Sequence, residues 1–113
     1  MQTAPQIIEA LSALAQEHRL RLFRLLVQAG DAGMAAGAIA DAMEMPASSL
    51  SFHLALMERA GITKRVRRGR SLIYSADYAA MASLVGYLTE NCCGGAVGCA
   101  PEMICSPQIE RTI

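Results

Sequence analysis

The chain has 113 residues and a mass of 12.0 kDa, enough for one hydrophobic core and too little for two. Hydrophobic residues make up 53% and charged residues 18%, which excludes a disordered polymer, and no Trp, three Tyr and two Phe favour an aliphatic core of packed helices over an aromatic β-sandwich. Ten Lys and Arg balance ten Asp and Glu, which excludes a uniformly basic protein that coats nucleic acid along its whole length.

Pro5 suits a helix opening, and Ile7, Ile8, Leu11, Leu14 and Ala15 recur at helical spacing, predicting a first helix over roughly 5–16. From Glu17 the pattern restarts with Leu20, Phe23, Leu26 and Val27 on one face and Arg19, Arg21 and Arg24 largely on others, predicting a second helix that ends near Gly30. Gly30-Asp31-Ala32-Gly33 is a turn cluster, followed by a short Ala-rich helix over Ala36–Met43 that Met45-Pro46 interrupts. A fourth helix starts at Pro46 with Leu50, Leu54 and Met57 as its apolar stripe, and stops at Gly61. Thr63–Arg68 and Ser71–Ser75, separated by Gly69-Arg70, read as a β-hairpin. Tyr78–Glu90 closes the folded part as a helix with Met81, Leu84, Val85 and Leu88 on one stripe, and a Gly- and Cys-rich tail follows. The expected fold is mostly α with a small β-hairpin, in the order α-α-α-α-β-β-α of a winged helix-turn-helix. Residues 1–90 would form that unit and 91–113 a Cys-rich tail.

Arginines and aspartates interrupt every apolar stretch before it reaches eighteen residues, so no membrane span is expected. Met1–Pro5 has neither the basic stretch nor the apolar run of a secretory leader, so the expected compartment is the cytoplasm. In that reducing setting the four cysteines read as thiols or metal ligands rather than disulfides.

Charge is unevenly spread. Residues 47–78 hold six cations and two anions, a net +4 that the rest of the chain offsets with −4, and five of the ten cations fall between Lys64 and Arg70. This polarity is the footprint of a local anionic partner. Hydroxyls and an imidazole at Ser48, Ser49, Ser51 and His53 suit a slim helix that reaches base edges, although serines also solubilise ordinary surface helices. Arg67, Arg68 and Arg70 around Gly69 suit phosphate contacts from a hairpin tip, against the plainer reading of a solvated charged strand pair. His18, at the junction of the first two helices, is read as a capping or packing group; His53 is read as a DNA contact in preference to a turn toward the hairpin.

The runs Leu50-Ser51-Phe52-His53-Leu54, Glu58-Arg59-Ala60-Gly61-Ile62 and Arg67-Arg68-Gly69-Arg70-Ser71-Leu72-Ile73-Tyr74 together resemble the core of ArsR-type winged-helix repressors, over roughly residues 7–90. The resemblance implies a homodimer, joined through its first and last helices, that binds a pseudo-palindromic double-stranded operator and leaves it when a soft metal or metalloid binds. One inducer site of that family, Cys-Val-Cys on the third helix, has no counterpart in Ala36–Asp41; another, built from His and carboxylate ligands on the last helix, has none either, because the two histidines are His18 and His53.

The tail offers Cys92, Cys93 and Cys99, a Cys-Cys-x₅-Cys arrangement similar to that of arsenite-responsive members, with Cys105 as an optional fourth thiolate. Soft thiolates select trivalent arsenic, or antimony; four thiolates would also hold cadmium, lead or zinc. The competing readings are incidental thiols and a thiol-redox switch. No organic cofactor is expected. An enzyme is not expected, since the cysteines follow a helix C-terminus, where the dipole disfavours a thiolate, and neither a βαβ pattern nor a Cys-x-x-Cys motif is present.

Overall fold

Thr3 starts the first helix. Its backbone is extended (φ −90°, ψ 168°), its N–H donates to Gln6 Oε1 at 2.8 Å, and Pro5 occupies the first turn, so the orphan amides of α1 (Ala4–Leu14) are largely satisfied locally. The computed structural model describes residues 3–95. The first helix ends two residues short of the expected boundary because Gln16 turns extended and caps α2 (Glu17–Ala29): its Oε1 accepts from the Arg19 N–H at 3.0 Å. Arg19 Nε donates back to the Ala13 carbonyl at 2.6 Å, which ties the end of one helix to the start of the next.

Beyond α2 the chain runs through Gly30 and Gly33, both at positive φ. At Gly33 a Cβ would collide with the Tyr74 carbonyl, so only glycine lets the segment lie this close to the hairpin. The consequence is β1 (Met34–Ala35), a two-residue strand that the sequence did not announce. The expected hairpin, β2 (Thr63–Arg68) and β3 (Ser71–Ala76), is therefore a three-stranded antiparallel sheet in the order β1-β3-β2. Its register pairs Met34 with Tyr74 on one side of β3, and Thr63 with Ala76 through Arg68 with Ser71 on the other. Gly69 is left-handed (φ 62°) and Arg70 is not, the pattern of a two-residue type II′ turn.

Helices α3 (Ala36–Met43) and α4 (Ala47–Arg59) form the helix-turn-helix, and Glu44 in the left-handed region ends the first of them. Leu50, Leu54 and Met57 recur at steps of four and three, and all three are buried on a core that includes Leu22, Leu26, Ile39 and Ile62. α5 (Tyr78–Leu88) is capped by Asp77, whose Oδ1 accepts from the Ala80 N–H at 3.0 Å while its own N–H donates to the Ile62 carbonyl at 2.9 Å. Tyr78 Oη donates to the Val27 carbonyl at 3.0 Å and pins α5 against α2. A short 3₁₀ turn, Cys92–Gly95, follows. The arrangement is a winged helix-turn-helix, with α1 and α5 packed together at one end and each leaving apolar side chains in solvent: Ile8 and Leu11 on the first, Tyr87 and Leu88 on the second.

Candidate nucleic-acid interface

The stripe that buries α4 also decides what it shows. With Leu50, Leu54 and Met57 turned inward, the first turn presents Ser48 and Ser49, and the second presents Ser51 and Phe52, all exposed. These are short hydroxyls at the N-terminal end of the second helix of a helix-turn-helix, the end that meets base edges when such a helix enters a major groove. No charged side chain stands on that exposed face before Arg59, at its far end.

The hairpin differs in every respect. Lys64, Arg65, Val66, Arg67, Arg68, Gly69 and Arg70 are all exposed, and β2 buries only Thr63. Strand alternation divides the cations: Arg65 and Arg67 share the face of β2 that carries Thr63, whereas Lys64 and Arg68 share the other. Arg65 is engaged within the protein, its Nε lying 3.3 Å from Glu58 Oε2 on α4 and its guanidinium held more firmly in the charged form by the Tyr74 hydroxyl and then by Glu58. Arg65 therefore braces the hairpin against α4. Arg67, Arg68 and Arg70, which the sequence reading assigns to phosphate contacts, are exposed to solvent.

His53 has neighbours that the sequence did not reveal. Its half-buried ring faces α2, not the hairpin: Arg19 Nη1 lies 3.3 Å from its Nδ1, and it stacks on His18 with centroids 5.7 Å apart and planes 17° apart. An arginine donor fits a neutral imidazole with its proton on Nε2. Burial, then Arg19, then His18 pull the pKa of His53 below its ordinary value of 6.5, which keeps it neutral at neutral pH. His18 itself is exposed and lies 3.1 Å from Gln16 Nε2 through its own Nδ1. Phe52 stands out in the sequence only as one residue of a motif, yet its ring is 61% exposed and meets the edge of His53 with centroids 5.7 Å apart. The signal that could have found it was helical phase, since it falls midway between Leu50 and Leu54.

Of the tail cysteines, Cys92 and Cys93 belong by their backbone to the 3₁₀ turn just beyond α5, while Cys99 and Cys105 fall outside the described residues. Among the described residues no group of three His, Cys, Asp or Glu side chains could hold a metal ion, and no helix is long and apolar enough to cross a membrane.

A sequence model of helix-turn-helix domains matches residues 14–66, which span α2, β1, α3, α4 and most of β2. No curated protein gives a match. Among solved structures, the chain is similar to NolR from Sinorhizobium fredii at 28% identity, with a TM-score of 0.62 and coverage of 80% of this chain and 95% of that one. It is similar at 26% identity to a homodimeric winged helix-turn-helix DNA-binding domain from Mycobacterium bovis, described as a possible ArsR-family transcriptional regulator, with a TM-score of 0.61 and coverage of 80% and 89%. HlyU from Vibrio cholerae shows 26% identity, a TM-score of 0.61 and coverage of 78% and 97%. The Mycobacterium bovis relative is thus described as the DNA-binding domain of a possible transcriptional regulator, and the match to the helix-turn-helix model takes in the whole of α4.

Proposed function

We propose that this winged helix-turn-helix protein is a DNA-binding transcriptional repressor of the ArsR type, released from its operator when trivalent arsenic, or antimony, binds Cys92, Cys93 and Cys99. The observation that carries the DNA-binding half is the pairing of an uncharged, hydroxyl-bearing exposed face on α4 with an exposed cationic hairpin beside it. The first can meet base edges and the second phosphates.

The repressor acts as a homodimer, supported by the homodimeric description of the Mycobacterium bovis domain and by Ile8, Leu11, Tyr87 and Leu88, which α1 and α5 leave exposed at one end. Two α4 helices then enter successive major grooves about 34–36 Å apart.

The inducer half rests on donor chemistry and position. Two adjacent cysteines stand at the end of α5, so a ligand drawing them together with Cys99 acts directly on a helix of the proposed dimer contact. Bound arsenite would supply three arsenic–sulfur bonds; the chain's part is to transmit the constraint through α5 to the spacing of the two α4 helices. The coupling is reciprocal, so DNA must weaken inducer binding by the same factor. A thiol-redox response is the alternative, favoured by a similar structure described as reduced HlyU from Vibrio cholerae, at 26% identity.

Fluorescence anisotropy on labelled operator DNA, titrated with arsenite, antimonite, cadmium and zinc under a non-thiol reductant, separates these readings. Arsenite should release the wild-type protein, whereas Cys92→Ser/Cys93→Ser should keep its operator affinity and lose the release. Cys105→Ser should keep the arsenite response and lose at most affinity for a four-coordinate metal such as cadmium. Undiminished release from the double mutant overturns the arsenic site, and release by oxidant alone establishes the redox reading.

A further inference from the structure

We infer that Phe52 reads a thymine methyl group in the major groove, with His53 as the residue that positions its ring. The inference rests on the DNA-binding reading above and adds to it a source of sequence preference that the hydroxyls of α4 cannot supply.

Phe52 lies about 200° around the helix from Leu50, opposite the buried stripe, so whatever meets α4 from outside meets this ring first. It is 61% exposed, and the residues one turn before and after it on that face, Ser48 and Ala55, are small and exposed too. The ring therefore stands out from its surroundings with no bulky neighbour competing for the same space. Single exposed apolar residues are common on proteins and need no explanation by themselves. This one is held in place. Its ring meets the edge of His53 at 66°, His53 stacks on His18, and Arg19 bridges from the Ala13 carbonyl to His53 Nδ1. Two rings and a guanidinium thus stand behind Phe52 and support one side of its ring, which lowers the conformational cost of using it as a contact.

The chemistry of the partner follows from the groove. Of the four bases only thymine offers an apolar group at its major-groove edge, the C5 methyl, and Phe is among the side chains that pack on it. Serine hydroxyls, which donate and accept, pair with either kind of base edge and discriminate weakly. A ring among three serines on α4 therefore fits an operator with a thymine at a defined position in each half-site.

The test begins with a duplex of about 30 base pairs selected by the wild-type protein from a randomised library. Each thymine of a half-site is then replaced by deoxyuridine, which removes only the methyl group. At one position per half-site wild-type affinity should fall about fourfold, the worth of one buried methyl. Phe52→Ser should bind the thymine and deoxyuridine duplexes equally, and Phe52→Leu should keep part of the difference; unchanged circular dichroism shows that both fold. His53→Gln should shrink the thymine-to-deoxyuridine ratio without altering the salt dependence, which a general loss of structure would not do. Wild-type indifference to every substitution, or retained discrimination in Phe52→Ser, overturns the assignment. Loss of self-association in Phe52→Ser would make the ring a protein contact and overturns it as well. If no duplex is enriched over scrambled DNA, the DNA-binding reading itself fails and this inference goes with it, an outcome distinct from the others.

Discussion

Helix α4 and the β2–β3 hairpin lie side by side and carry opposite solutions to the problem of being exposed. The helix keeps one face in the core through Leu50, Leu54 and Met57 and shows solvent a face that is uncharged until Arg59 at its far end; the hairpin buries one residue of β2 and shows five cations between Lys64 and Arg70. In the DNA-binding reading proposed above, selectivity and affinity sit on separate elements. A rigid helix docked on the core can hold hydroxyls and a ring in register with base edges, whereas a cationic hairpin needs only to bring charge within reach of phosphates. Charge on β2 has a second consequence, because β2 is an edge strand and lysine or arginine there discourages pairing with another chain.

The two elements differ most in what they do for stability. Met57 is fully buried in the stripe of α4, and Met57→Ala should cost about 2–5 kcal/mol through forfeited transfer energy and a residual cavity. Arg68→Ala at the exposed hairpin tip should leave stability within about 0.5 kcal/mol of wild type. Urea denaturation of the two variants measures both. A hairpin variant as damaging as the helix variant would mean that the cations hold the fold together rather than wait for a partner.

In DNA binding the order reverses. Arg68→Ala and Arg70→Ala should weaken binding to all sequences alike and lower the slope of log affinity against log salt by about 0.9 for each phosphate that is no longer neutralised. Arg65→Ala should behave differently, because Arg65 is engaged with Glu58 and Tyr74: its removal should act through the seating of the hairpin on α4, with a smaller change in slope. Affinity measured across a salt series for the three variants would show which arginines touch phosphate. Equal slopes in all three would erase the distinction drawn between the bracing arginine and those at the tip.

How much of this was readable beforehand depended on the range of the interaction. The stripe of α4 and the turn at Gly69 are local signals, and they located the recognition helix and the hairpin to within a residue or two. Strand β1 was hidden because two residues carry no periodicity; it exists through the pairing of Met34 with Tyr74, forty residues on, and through the close approach at Gly33. The cation cluster was visible in composition, but its division was not, since Arg65 is set apart by Glu58 on another element. The surroundings of His53 were hidden for the same reason: its partners, Arg19 and His18, come from α2, thirty-four and thirty-five positions away. Phe52 was visible in phase, and only the ring ladder behind it gives its direction a structural cause.

The smallest effect is expected at the inner edge of the recognition helix, where α4 meets α2. His53 has a pKa below 6.5 in the folded protein, because burial and then the neighbouring Arg19 and His18 oppose a positive charge. The groups facing it from α2 are Arg19 and His18, and Glu44, at the α3–α4 turn, lines the same shallow cavity. A lowered histidine pKa means that the unfolded chain binds the proton more readily than the folded one. The stabilising contribution of neutral His53 is therefore fully present above pH 6.5 and is lost as pH falls from there toward and below the folded value. His53→Gln keeps an acceptor for Arg19 but does not titrate, so the variant should lose less thermal stability than wild type between about pH 7.5 and about pH 5. Arg68→Ala, far from this cluster, should follow the wild-type curve. Thermal unfolding over that interval decides the matter: parallel curves for wild type and His53→Gln would show that the histidine stack carries no proton linkage. Convergence of the two at acid pH would show that the inner edge of the recognition helix is sensitive to protons while the hairpin beside it is not.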